Sequence, residues 1–511
     1  MYKPRLTLYL ASFTLLLLFL IACSSTQEVK SPPNIIVILV DDMGLMDTSV
    51  PFLIDAEGKP VKYELNEFYT TPNMKKLASQ GIRFSNFYAH SVCSPSRTSF
   101  LTGQNSARHG VTNWIRSEEN NRTEFGPADW NWNGLTSTSV TFPKLLHQNG
   151  YKTIHVGKAH FGPFASEGED PLNLGFDVNI AGSSIGQPGS YLGTEAFGHT
   201  GGNKSRAVPG LEKYHGQDIF LTEALTLEAN AELTKAKEEG KPFFLNMAHY
   251  AVHAPFYSDP RFADKYKDSG KPEKAQAYAT LIEGIDKSLG DIMEHVKALG
   301  LGENTLIIFL GDNGSDAPLP IENEYSSSTP LKGKKGNHWE GGMRVPFIAA
   351  WVSPDASSPN QKKLPIVQNA IQEQVGTIID LFPTFISLTG ISNPEGHTLD
   401  GFPLQAQLNA EKNTSREEVF LNHFPHGNHR SNYFTSLVKS DWKVVYHYPI
   451  EGEPAYELFN LKSDPFETEN LAESNPAKLK EMMETMSAEM TSKKAKFPEK
   501  DEEILKLIVP E

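Results

Sequence analysis

The run Asn34-Ile35-Ile36-Val37-Ile38-Leu39-Val40 carries six branched apolar side chains in succession and ends in two acids, Asp41-Asp42. A strand with water on one face alternates in polarity; this one does not, so it reads as a strand buried on both faces, the signature of a sheet covered by helices on both sides. Similar runs recur at 151–156, 243–247, 305–310 and 345–351, with helical patterns between them, notably 275–299 and 374–388. This alternation predicts an α/β fold with a large, doubly wound, mixed or parallel sheet flanked by helices. Such sheets place ligands beyond the C-terminal ends of their strands. Asp41 and Asp42 occupy one such end, and Asp312 and Asn313, after 305–310, occupy another. Two pairs of hard oxygen donors at equivalent ends make a Ca²⁺ or Mg²⁺ site. Either pair alone would serve equally well as a turn.

After about Gly401 the pattern changes. Stretches 419–424, 436–448 and 456–461 read as strands and 476–494 as a charged helix. They predict a small C-terminal α+β part with an antiparallel sheet, so that 34–400 forms the larger domain and 401–511 the smaller. Residues 166–214 are rich in Gly and Ser with few periodic runs. A loop of that length inside a domain is usually functional or mobile.

Lys3 and Arg5 precede an apolar run, 6–22, that ends at Cys23. This reads as a secretory leader, 1–22. Leu20-Ile21-Ala22-Cys23 resembles a bacterial lipobox, which would place a lipid on Cys23, a polar tether over 23–33, and the protein at the cell envelope, anchored on the periplasmic or outer-surface side of a membrane. The apolar run is short for the roughly 20 residues a membrane span needs. A net charge of -15 excludes the basic surface of a nucleic-acid binder. It also means that an anionic substrate needs cations gathered in the pocket, where a low-dielectric cleft focuses their field.

Two cysteines are present, and the second, Cys93, lies in Ser91-Val92-Cys93-Ser94-Pro95-Ser96-Arg97-Thr98-Ser99-Phe100-Leu101-Thr102-Gly103. A solitary cysteine is ordinarily a buried small hydrophobe. This run, with Pro at +2, Arg at +4 and Leu-Thr-Gly further on, resembles the maturation signature of type I sulfatases, members of the alkaline phosphatase superfamily. Gly157-Lys158-Ala159-His160-Phe161-Gly162 resembles a second family element, with Ala159 where Trp is common. His253-Ala254-Pro255 resembles a third. Lys332-Gly333-Lys334-Lys335-Gly336, followed by Glu340-Gly341-Gly342-Met343-Arg344-Val345-Pro346, resembles the second long family signature; alignment on Glu-Gly-Gly selects Lys335, with Lys334 its rival. Tyr456 to Leu461 and Asp464 to Leu471 are also family-like, so the resemblance runs from Asn34 into the C-terminal part.

The resemblance implies an alkaline-phosphatase-like fold and a sulfuric ester hydrolase. It implies that a maturation enzyme oxidises Cys93 to formylglycine (3-oxoalanine), whose hydrate attacks sulfur. Asp41, Asp42, Asp312 and Asn313 would hold Ca²⁺ together with the modified Cys93. Lys335 and Lys158 would neutralise the anionic ester, Arg97 and Lys158 would fix the nucleophile, His253 would protonate the leaving alcohol, and His160 would take the proton whose loss expels sulfate. The envelope location favours a sulfated polysaccharide or oligosaccharide as substrate. The region from Lys158 to Tyr191, with Asp170 to Asp177 inside it, resembles bacterial enzymes acting on sulfated galactose or galactosamine. Trp130 and Trp132 are candidates to stack on sugar rings, and His423, His426 and Arg430, in a cluster with His429, to contact hydroxyls or sulfate. Three alternatives stand beside this: a phosphate or phosphonate ester hydrolase on the same fold, a non-catalytic glycan-binding lipoprotein, and a plain thiol nucleophile paired with His160 or His253.

Overall fold

The computed structural model describes residues 31–319 and 327–511. The expected leader, the lipidation position Cys23 and most of the tether lie outside the described residues. Among the described residues no helix is long and apolar enough to cross a membrane.

Strands β1 (Asn34–Val40), β2 (Ile82–Phe84), β4 (Lys152–Gly157), β5 (Val178–Ile180), β6 (Phe243–His249), β7 (Thr305–Gly311), β8 (Phe347–Trp351) and β9 (Ala370–Gln372) form one sheet in the order β5-β4-β6-β1-β7-β8-β2-β9. A short pair, β3 (Phe87–Tyr88) with β10 (Gly376–Thr377), lies apart from it. Strand β1 is central and fully buried, and its side chains divide between two cores. Ile36, Ile38 and Val40 join the core made with helices Leu221–Glu238 and Glu273–Ala298, while Ile35, Val37 and Leu39 join the one made with Phe100, Leu101, Phe142 and the helix Leu381–Thr389. The unbroken apolar run is thus explained: both of its faces meet helices.

Strands β5, β4, β6, β1 and β7 run parallel, and β8 alone is reversed, antiparallel to both β7 and β2. The reversal has a topological cause. The chain leaves β7 at its C-terminal end, builds the segment that carries Lys335 over that same end, and re-enters the sheet there. Two sequence expectations need correction. The helix expected over 374–388 begins only at Leu381. Before it, Gly376-Thr377 pair as a strand, and the Asp380 carboxylate accepts from the N–H and hydroxyl of Thr377, capping a 3₁₀ turn. The strand expected over 436–448 is a hairpin, β12 (Phe434–Lys439) and β13 (Trp442–His447), turned at Ser440-Asp441 with Ser440 at φ 53°.

With β11 (Val419–Phe424) and β14 (Ala455–Asn460) this hairpin makes a four-stranded antiparallel sheet, β11-β12-β13-β14. One face, with Leu421, Leu437, Val444 and Leu458, packs on Met482, Met483, Met486 and Met490 of the helix Pro476–Lys493. The other packs on the larger part of the protein: Phe420 and Val438 meet Tyr88 and Met343, and Phe424, Phe434 and Val445 meet Val92. Between the two lies a fully buried charge network. Lys443 of β13 donates to Glu467 at 2.6 Å and to Glu340 at 3.1 Å, and Tyr88 donates to the second oxygen of Glu340 at 2.8 Å. Burial pushes the Glu467 carboxyl up to about 7, and Lys443 opposes it. Removing Lys443 leaves Glu467 without its cation in a dry interior and Glu340 with only the more distant Arg344 at 3.6 Å. Lys443→Met is therefore expected to lower stability by ~3–5 kcal/mol, measured as the shift of the guanidinium denaturation midpoint; an unchanged midpoint would show that the network contributes nothing.

Candidate active site

Four adjacent strands, in the order β4-β6-β1-β7, point their C-terminal ends at one spot. Lys158 and His160 follow β4, His253 follows β6, Asp41 and Asp42 follow β1, and Asp312 and Asn313 follow β7. Pairing of Val40 with Gly311 sets the two acidic ends side by side, and the Asp312 N–H donates to the Val40 carbonyl at 3.1 Å. Asp42 and His160 sit in the left-handed region, at φ 59° and 58°. Backbone strain of this kind, roughly 1–3 kcal/mol per residue, gathers at functional sites.

The charges there form a closed set. Lys158 donates to Asp41 at 2.7 Å, Lys335 pairs with Asp42 at 2.7 Å, and Arg97 donates to Asp312 at 2.8 Å and to the Lys158 carbonyl at 2.9 Å. All six side chains are buried. Burial raises the Asp41 carboxyl, against Lys158, and raises Asp312 to about 6, against Arg97. Burial pushes Asp42 the same way, but Lys335 and His253 outweigh it and hold Asp42 below the ordinary carboxylate range. Burial in turn lowers Lys335, and Asp42, Cys93, Asp41 and Asp316 together more than reverse this, so the ammonium is held well above its usual value.

Sequence reasoning expected a divalent ion here, and the donors fit one. Oxygens of Asp41, Asp42 and Asp312 all lie within 4.8 Å of one another. Asp41 Oδ1 and Asn313 Oδ1 are buried with no hydrogen-bond partner. Unsatisfied buried oxygens are costly, and a hard cation such as Ca²⁺ satisfies them.

Cys93 stands at the first position of a ten-residue helix, Cys93–Thr102, every residue of which is buried. Its Sγ lies 3.4 Å from His160 Nδ1. His160 Nε2 lies 2.6 Å from the Ile115 carbonyl. A carbonyl only accepts, so the imidazole proton is on Nε2 and the lone pair on Nδ1 faces Cys93. Burial and then Lys158 push His160 well below its ordinary pKa, which keeps it a neutral base. On the opposite wall His253 directs Nδ1–H to the Ala254 carbonyl at 2.9 Å and Nε2 toward Asp42 at 3.5 Å. Burial and then Lys335 bring it to about 4. The Gly- and Ser-rich stretch closes over this point: at Gly186 a Cβ would fall 2.8 Å from the His160 ring.

Cys93, His160, His253 and Lys335 line a cavity of about 180 Å³. Its outer wall is Trp114, Gln187, Arg206, Asp316, His429 and Arg430. Of the proposed substrate contacts Arg430 is there, paired with Asp316 at 2.9 Å. Lys334, the rival of Lys335, does not line it. Trp130, Trp132, His423 and His426 are elsewhere. Trp130 is buried against His426 and donates to Asn120; Trp132 packs beside it and donates to the Arg116 carbonyl. His426 bonds Thr112, and His423 is held between Thr435 and the Lys496 carbonyl. The polar atoms of Trp130, Trp132 and His423 are taken up by these partners, and His426 is anchored through Nε2 while its buried Nδ1 has no partner, none of which spacing in the chain reveals. Trp114, Gln187, Arg206 and Asp316 were missed. Only Gln187 and Arg206 carried a signal, through the length of the 166–214 stretch.

The sulfatase family model matches residues 33–391, and the C-terminal model of N-sulphoglucosamine sulphohydrolase matches 335–496. Mouse N-acetylgalactosamine-6-sulfatase is 30% identical over 391 residues, covering 73% of this chain and 65% of its own length, so the chain spans about two thirds of that relative. A sulfatase of Formosa agariphila is 29% identical and covers 91% of this chain and 89% of its own. Among solved structures, Ps i-CgsB superposes with a TM-score of 0.69 at 25% identity over 90% of this chain and 93% of its own, and it has also been solved in complex with k-i-k-neocarrahexaose.

An ion held by Asp41, Asp42, Asp312 and Asn313 competes with the proton on Asp312, whose pKa is about 6. Affinity for Ca²⁺ is therefore expected to be full above pH 6 and to weaken as pH falls through 6. Calorimetric titration at pH 5 and pH 7 checks this, and equal affinities at the two would contradict it.

Proposed function

The chain belongs to the sulfatase family, and on that premise we propose that it hydrolyses sulfate esters of a glycan, with Cys93 oxidised to formylglycine by a maturation enzyme. The observation that carries the proposal is the contact between Cys93 Sγ and the unprotonated Nδ1 of His160, 3.4 Å apart beside the carboxylate cage. The aldehyde, once hydrated, supplies an oxygen nucleophile with a second hydroxyl. Calcium, when bound, supplies two positive charges to a cluster whose three carboxylates and three cations otherwise cancel, and so gives the pocket net attraction for an anion.

Every other role falls to side chains of this chain. Lys335 lines the cavity and Lys158 is buried against Asp41 in the cage, and together they offset the charge of the sulfate group as it is attacked. Arg97, one turn along the Cys93 helix, has its guanidinium held rigid by Asp312 and the Lys158 carbonyl. His253 carries a proton on Nε2 to the leaving alcohol; an anionic ester beside it favours the imidazolium and raises it from about 4. His160 Nδ1 accepts the proton of the residual hydroxyl, which drives sulfate out and restores the aldehyde. A plain thiolate mechanism fits less well, because burial pushes the Cys93 thiol up rather than down and the carboxylate cage would have no task.

A glycan substrate is supported by the relatives' names, N-acetylgalactosamine-6-sulfatase and a complex with k-i-k-neocarrahexaose. The small cavity suits a single terminal sugar, with Arg430, His429 and Trp114 at its mouth. The leader-like residues before Cys23 support a lipid-anchored envelope enzyme acting on extracellular polymer fragments.

The test is sulfate release, followed by ion chromatography, from defined sulfated saccharides and matched phosphate esters, using protein co-expressed with a formylglycine-generating enzyme. Wild type is expected to release sulfate from one sugar at one position and to leave the phosphate ester largely intact. Cys93→Ala is expected to lose all turnover with an unchanged melting temperature, and His253→Ala to lose about 10²–10⁴ in kcat. Turnover retained in Cys93→Ala would refute the proposal.

A further inference from the structure

Three residues after Lys335 the same segment carries His338, and its imidazole faces the C-terminal sheet. His338 Nε2 lies 3.2 Å from Glu457 Oε1, and His447 Nε2 lies 2.7 Å from the same oxygen. The two imidazole rings are 4.9 Å apart and nearly perpendicular. Pairing of Val445 with Glu457 and of His447 with Ala455 places His447 and Glu457 on one face of the β13–β14 pair, as diagonal neighbours. That face also presents Val445 to the larger part of the protein, so the sheet offers two donors toward a third from the segment of the catalytic lysine.

We propose that His338, His447 and Glu457 form a second metal site, for a zinc-class dication, which ties the Lys335 segment to the C-terminal sheet. The donor set, two imidazoles and one carboxylate, suits Zn²⁺ rather than Ca²⁺, which prefers oxygen alone. One donor atom from each residue lies within 4.8 Å of the others. Around tetrahedral zinc, donors sit about 3.3 Å apart, from metal–ligand lengths of ~2.0–2.1 Å. The His338–Glu457 spacing already matches.

A second observation points the same way. His338 is 92% buried, and neither of its ring nitrogens makes a hydrogen bond of good geometry. Trp339, 4.1 Å away, and Phe434, 5.4 Å away, hold the ring in place. A buried imidazole fixed by aromatic neighbours, with Nδ1 unpartnered and Nε2 in only a poorly aligned contact with Glu457, is costly unless a ligand completes it. The side chains of His447 and Glu457 are each 18% exposed, which leaves an entry path and room for a water ligand.

The test is calorimetric titration of Zn²⁺ into the matured, full-length protein in excess calcium, which keeps the carboxylate cage filled. Wild type is expected to bind one equivalent of zinc more than His447→Gln or Glu457→Gln, and zinc is expected to raise the melting temperature of wild type but of neither variant. Equal zinc uptake by wild type and both variants would overturn the proposal. X-ray absorption on zinc-loaded wild type needs no variant: imidazole scattering in a mixed nitrogen and oxygen shell is expected, and a shell of oxygen alone would overturn the proposal. Neither readout depends on sulfate release, so failure here leaves the sulfatase reading untouched.

Discussion

The structure turns on a set of charges buried where four parallel strands end. Lys158 with Asp41, Lys335 with Asp42 and Arg97 with Asp312 are removed from water almost completely. Burying six charges is expensive, and pairing offsets the cost only if the geometry is tight. That requirement explains much of the architecture: the fully buried Cys93 helix, the left-handed backbone at Asp42 and His160, and the Gly186 approach that leaves no room for a side chain. The cluster is nearly neutral as it stands, and a divalent ion, if bound, would convert it into a receptor for an anion. A protein of net charge -15 would thereby gain a local positive field without a basic surface.

The C-terminal sheet completes this arrangement from outside. Its Lys443 meets Glu340, which follows the Lys335 segment, and its Val445, Phe424 and Phe434 cover Val92, the residue before Cys93. The same sheet leads into the loop of His429 and Arg430, consecutive residues at φ 52° and 69° on the cavity wall. The Cys93 helix, the Lys335 segment and the His429-Arg430 loop on the cavity wall are therefore held by one interface, and changes there would reach the cavity through packing and ion pairs.

Much of this was legible in the sequence because each feature has a short-range cause. Unbroken apolar runs marked the central strands, and the acids and bases that follow them marked the site. Cys93, Arg97, Lys158, His160, His253, Lys335 and the four oxygen donors do converge. What was not legible depends on long-range partners. The reversal of β8 follows from where the Lys335 segment returns. The hairpin inside 436–448 turns on two residues, Ser440-Asp441, within a strand-like stretch. His423 and His426 look like surface binding groups by type, but Lys496 and Thr112, each distant in the chain from the residue it binds, draw them inward. Trp114 reaches the cavity with no local pattern to announce it.

The central claim is that the strand-end cluster is built to hold a cation and, beside it, a sulfate group. The most direct test is a crystal structure of the matured protein grown with calcium and inorganic sulfate. The account predicts an anomalous peak about 2.3–2.6 Å from oxygens of Asp41, Asp42, Asp312 and Asn313, with sulfate between it and Lys335, and an aldehyde or its hydrate at position 93. A structure in which Lys158 and Lys335 keep their carboxylate partners, with no ion among the four oxygens, would contradict it.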